Sequence, residues 1–160
     1  MKRLSIAALA IGATLVAGAQ AQTVTIRWGD NDMYGHVNNA VYYEYFDAAL
    51  NAWLRPHIGV PFDKAEIMGV VAESGCRFIR SVSFPGEVTV GLRITHIGRT
   101  SMTYSLGVFD GAAPPEDAGP CAVGHWVDVY VERATGISTP IPDDLRAAMQ
   151  AVMDAGAVSA

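Results

Sequence analysis

Apolar residues recur along the chain with two different periods, and the change of period divides it. Gln22 to Trp28 alternates β-branched with polar residues and predicts a short strand. Gly29 to Asn39 is polar and glycine-containing, and predicts a loop. Val41, Tyr42, Tyr45, Phe46, Ala49, Leu50, Trp53 and Leu54 then trace one apolar helix face, with Glu44, Asp47, Ala48, Asn51 and Arg55 opposite. Pro56 is expected to end that helix. From Val70 onward the period drops to two. Val70 to Phe84 is strand-like with an interruption at Gly75, and three alternating runs follow. They are Val88, Val90, Leu92, Ile94; then Met102, Tyr104, Leu106, Val108; then Val123, His125, Val127, Val129, Val131. Pro85-Gly86, Gly98-Arg99 and Gly111 to Pro120 separate the runs as turns, and the last, GAAPPEDAGP, reads as a mobile excursion. Pro142-Asp143-Asp144 opens a final helix with Leu145, Met149, Val152 and Met153 on one face, ending before Gly156. A strand, a long helix, four strands and a short helix predict an α+β domain. Its mostly antiparallel sheet would be covered on one face by the helix.

Composition narrows this picture without naming a function. The chain has 160 residues, 51% of them apolar, which suits a single domain with its own core and excludes wholesale disorder. Eleven Lys and Arg stand against 16 Asp and Glu, and a net charge of −5 has the wrong sign for a general nucleic-acid binder. Cys76 and Cys121 are too few and too far apart for a disulfide framework and read as buried small hydrophobes. No Cys/His cluster has zinc-site spacing, so no metal is implied.

One region departs from the average. Lys2 and Arg3 precede an uncharged run from Leu4 to Gly18 and then Ala19-Gln20-Ala21. A basic start, a short apolar stretch and an A-x-A site form a signal-peptide pattern, and the stretch is short for a membrane span. The expected division is a leader at 1–21 and a functional domain at 22–160, with export to the periplasm implied. Loss of the leader would remove two positive charges and leave the domain more acidic.

The loop before the long helix carries the chemistry. Arg27 to Tyr43 reads RWGDNDMYGHVNNAVYY, with two aspartates, a histidine and two asparagines crowded together. Capping and turn formation account for some of these residues, but not for Asp30, Asp32 and His36 well upstream of the helix. An EF-hand fails, because Tyr34 and Val41 stand where its fifth and twelfth positions need oxygen ligands. No G-x-S-x-G elbow is present, and Ser101 lacks a paired base, so a serine hydrolase is disfavoured.

The run Asp30 to Asn39, D-x-D-x-x-G-H-V-N-N, closely resembles the signature of hotdog-fold acyl-CoA thioesterases of the 4-hydroxybenzoyl-CoA thioesterase type. The resemblance extends through the element order, from about Thr23 to the final helix. It implies a hotdog fold, an antiparallel five-stranded sheet wrapped around one long helix. It also implies a homodimer or homotetramer with active sites between subunits, an acyl-CoA substrate and no cofactor. Asp32 matches the catalytic carboxylate, acting as base on water or as nucleophile. Asn39 matches the position whose backbone N–H polarises the thioester carbonyl, and a helix start supplies such donors. His36 and Asn38 match motif positions that orient the loop. Asp30, Tyr34 and Gly35 are candidate substrate contacts, although bonding to the loop backbone is the plainer role for Asp30. Coenzyme A carries phosphates, which makes Arg77, Arg80, Arg99 and the neighbouring Ser101 candidates for its binding. Such a substrate implies the cytoplasm, against the leader. A non-catalytic hotdog module that binds an acyl ligand or serves in assembly is the competing reading. His125 reads as a core histidine, His57 and His96 as surface residues, and Tyr42, Tyr45 and Trp53 as core.

Overall fold

The three alternating runs form the centre of one sheet. The structure, a computed structural model, describes residues 20–115 and 118–157. Its strands are β1 (Gln20–Ile26), β2 (Ile67–Phe78), β3 (Gly86–Ile97), β4 (Ser101–Asp110) and β5 (Ala122–Glu132). They pair antiparallel throughout in the order β1-β3-β4-β5-β2, so β3, β4 and β5 are a meander and β1 and β2 are its edges. Val88, Val90, Leu92 and Ile94 of β3 and Met102, Tyr104, Leu106 and Val108 of β4 are all buried, as alternation requires of a sheet with one covered face.

Helix α1 (Asn39–Ile58) lies on that face. Its predicted stripe from Val41 to Leu54 is buried, Tyr42, Tyr45 and Trp53 included, and its opposite residues face outward. At Gly124 a Cβ would fall 2.8 Å from the Phe46 ring. A bare backbone at β5 is what lets the helix sit against the sheet. Pro56 does not end α1. The helix continues to Ile58 and stops at Gly59, whose φ of 73° is a left-handed cap. A proline in the last turn forfeits one i−4 hydrogen bond, and Ile58 still packs on the core. Helix α2 (Asp143–Ala157) buries Leu145 and Met149 and runs past Gly156.

Three further expectations change. β2 passes through Gly75 without a break and ends at Phe78, and its irregularity lies between Val71 and Glu73. As an edge strand it is largely exposed, so it shows little burial alternation. On β5 the buried face is Ala122, Gly124, Trp126, Asp128 and Tyr130, which turns His125 outward, 51% exposed, with its Nε2 3.3 Å from Glu73 Oε1. His125 is therefore not a core histidine. Cys121 is buried but Cys76 only partly so, and both are free thiols. The leader-like segment lies outside the described residues up to 19, and Gln20 and Ala21 pair with Leu92 and Gly91 at the start of β1. Residues 116–117, in the middle of the expected excursion between β4 and β5, also lie outside them. No helix among the described residues is long and apolar enough to cross a membrane.

Candidate active site

The motif loop is a closed local structure built around Asp30. This carboxylate is 2% exposed, beside the first turn after β1. Its Oδ2 accepts from the Arg27 backbone N–H at 2.8 Å and from the Tyr45 hydroxyl at 2.7 Å. Its Oδ1 accepts from Arg27 Nε at 2.8 Å. Arg27 also reaches Glu44 on α1, tying the loop to the helix. Burial pushes the Asp30 carboxyl up, but the Arg27 and Tyr45 donors outweigh it and hold it below the usual carboxylate range. Asp30 is fully occupied within the loop and has no free oxygen pair to offer a substrate. Its backbone carbonyl accepts from Asn38 N–H at 2.8 Å, which sets the start of α1.

Asp32 occupies the tip of the loop and is only partly buried. Its N–H donates to the His36 carbonyl at 2.9 Å and its carbonyl accepts from Gly35 N–H at 3.1 Å, closing a tight turn. Gly35 makes the turn possible with a φ of 82°, a region that side-chain-bearing residues avoid. Asp32 Oδ1 accepts from Tyr34 N–H at 2.8 Å, an Asx turn that orients the carboxylate and leaves Oδ2 for other work. The His36 ring and the Met33 and Tyr34 side chains are exposed. A bridge between Asn31 and Val37 closes the neck of the loop.

The loop is also pinned from outside. Val37 N–H donates to the Val82 carbonyl at 2.9 Å, and Phe84 N–H donates to Asn31 Oδ1 at 3.1 Å. Trp28 meets Phe84 edge to face with centroids 5.6 Å apart. Arg27, Asn31 and Tyr45 are the positioning residues that sequence reasoning missed. Asn31 lies inside the motif, but its partner is more than fifty positions away.

The helix start distributes its donors unevenly. Asn38 Oδ1 caps Ala40 N–H at 3.0 Å, and the Asn38 carbonyl accepts from Val41 N–H at 2.9 Å. Asn38 N–H is taken by Asp30. Asn39 N–H is the amide left without an acceptor among the described residues, at the positive end of a 20-residue helix. The chemistry available is thus a carboxylate and a free, dipole-reinforced N–H donor on one short segment.

The remaining candidates are not gathered here. Arg77 is exposed near the end of β2, and Arg80 donates to the Gly119 carbonyl at 2.8 Å. Arg99 and Ser101 lie at the β3–β4 turn, at the other end of the sheet within one protomer. His57 Nδ1 lies 2.8 Å from the Trp53 carbonyl, near the end of α1, and His96 is exposed.

Comparison with known proteins bears on the fold and the family. The PA5185 protein of Pseudomonas aeruginosa PAO1 is 38% identical, with a TM-score of 0.76 over 82% of this chain and 90% of that one. The PA2801 protein of the same species, a candidate thioesterase, is 33% identical with a TM-score of 0.74 over 81% and 97%. A thioesterase of Thermus thermophilus, complexed with coenzyme A and zinc, is 27% identical with a TM-score of 0.71 over 86% and 98%. Residues 26–149, from the end of β1 into α2, match the Thioesterase-like superfamily, and with its hotdog fold the chain belongs to that family.

Proposed function

We propose that the protein hydrolyses an acyl-CoA, or a closely related acyl thioester, to the free acid and thiol. Asn39 N–H, the amide at the helix start with no acceptor of its own, carries this reading. A thioester carbonyl bound there meets a fixed donor that strengthens as the oxygen gains negative charge on attack. Asp32, held by its Asx turn with one oxygen uncommitted, takes a proton from water or attacks the carbonyl itself. Asn38 acts by capping the helix, and His36 through its backbone carbonyl. Coenzyme A as the thiol carrier draws support from the Thermus thermophilus thioesterase, which was crystallised with it.

The site is completed in a homodimer or homotetramer. Trp28, Met33, Tyr34, Phe78 and Ile79 are large apolar residues left exposed around the loop and the adjoining end of edge strand β2. Antiparallel pairing of β2 with the same strand of a second copy covers both. It also brings the Phe78 end of one copy beside the Ile67 end of the other.

Hydrolysis of a panel of acyl-CoAs by wild type and Asp32→Asn tests the reading. A loss of about 10²–10⁴ in kcat is expected in the variant. Absence of cleavage of any thioester by wild type would leave a non-catalytic acyl-binding module. An unchanged rate in the variant would remove Asp32 from the chemistry. The mass of the mature N-terminus, with cell fractionation, settles compartment: an intact chain in the cytoplasm fits coenzyme A, and a chain cut after Ala21 outside it does not.

A further inference from the structure

A second carboxylate lies in a cavity that the motif does not reach. Between the C-terminal half of α1, the first half of β2, the end of β5 and the start of α2 is a cavity of about 830 Å³, within the size of small-molecule sites. Leu50, Leu54, Ile58, Ile67, Met68 and Leu145 give it apolar walls. Asp128, 5% exposed, stands in that wall on the buried face of β5. Its Oδ1 accepts from Trp126 Nε1 at 3.1 Å, and its Oδ2 accepts from no donor among the described residues. On the β2 side of that oxygen is Gly69, whose missing side chain leaves room there: a Cβ would fall 3.4 Å from Oδ2. Tyr130 lines the same cavity. A largely buried carboxylate with one oxygen lacking a donor is costly, and a donor entering the cavity completes it.

We infer that this cavity receives the acyl part of the substrate, and that Asp128 selects an acyl group carrying a hydrogen-bond donor, a hydroxyl or an amine, remote from the thioester. The inference rests on the thioesterase reading. The β2 pairing proposed above would set this cavity beside the motif loop of a second copy. Burial, only partly offset by the Trp126 donor, together with Asp47 on α1, raises the Asp128 carboxyl to about 6. At neutral pH it is ionised and acts as an acceptor for the ligand. A site built to bond such a donor discriminates strongly against an analogue that lacks it, because the buried acceptor is then left unpaired.

Matched medium-chain acyl-CoAs bearing a terminal hydroxyl, a terminal amine or no substituent test this with the full-length protein. Wild type is expected to favour a donor-bearing substrate over the alkyl one by about tenfold or more in kcat/KM, and the hydroxyl and amine arms identify which donor fits. Asp128→Leu should bring that ratio close to one. Gly69→Ala keeps the carboxylate but puts a methyl group against Oδ2, and should lower the ratio without removing a charge. It serves if the first variant does not fold. A separate readout is Trp126 fluorescence on titration with the corresponding free acids, which needs no catalysis. No preference in wild type, or a preference unchanged in both variants, overturns the role of Asp128. Hydrolysis of the alkyl substrate in those same assays would leave the thioesterase reading standing, and its absence from every substrate would end that reading instead.

Discussion

Asp30 and Asp128 are almost equally buried, and their surroundings push them in opposite directions. In the motif loop Asp30 receives donors from the Arg27 backbone, the Arg27 guanidinium and the Tyr45 hydroxyl, and its carboxyl is held low. In the cavity Asp128 receives one donor, from Trp126, and its carboxyl is raised to about 6. Burial by itself therefore does not say what a carboxylate is for. The number of donors that the fold supplies separates a group spent on structure from one kept for a ligand. Asp32 makes a third case: half-exposed, with one oxygen committed to Tyr34 N–H and the other open.

The comparison predicts a graded set of effects. Replacing Asp30 by Asn turns an acceptor-only group into one that presents an amide to the Arg27 donors. The one oxygen Asn retains can serve either the Tyr45 hydroxyl and Arg27 N–H or the Arg27 guanidinium, and the other side meets an amide donor where it had an acceptor. A loss of about 3 kcal/mol in unfolding free energy is expected from urea titration, with thioester hydrolysis falling in step. A change below about 1 kcal/mol would show that the loop does not depend on this carboxylate.

Asp128→Asn should behave in the opposite sense, and with pH. The folded carboxyl, at about 6, lies above its ordinary value of 3.8. Its contribution to stability is therefore fully present below pH 3.8 and is lost as pH rises through 6. The Asn variant should gain up to about 2–3 kcal/mol over wild type at pH 8, and the gain should vanish near pH 4. Thermal melts across that range check it, and a gain independent of pH would mean that Asp128 is not titrating in the folded protein. The smallest effect is at the helix cap. Asn38→Ala removes the acceptor of Ala40 N–H and should cost about 1 kcal/mol, while Asn38→Asp should restore most of it.

The helix, the three inner strands and the motif loop are legible in the sequence because each declares itself over a short window. Alternation at Val88 to Ile94 and at Met102 to Val108 marks the buried faces of β3 and β4 correctly. The D-x-D-x-x-G-H-V-N-N run is a recognisable family signature in ten consecutive residues. What failed to show was anything decided by a distant partner. Pro56 carries a strong local stop signal, and packing of Ile58 on the core overrides it. Asn31 looks like another polar loop residue until Phe84 is brought to it.

β5 shows where the boundary falls. Its sequence determined that two faces alternate, with valines and His125 on one and Gly124, Trp126, Asp128 and Tyr130 on the other. The more uniformly apolar face would be chosen as the core, yet it is the outer one. Only the tertiary structure decided otherwise, because the face that meets α1 must have no side chain where Phe46 arrives, and Gly124 provides that gap. The same choice carried Asp128 inside, next to the cavity. A period of two records that neighbours point to opposite sides, but which side is buried depends on the shape of the helix laid against it.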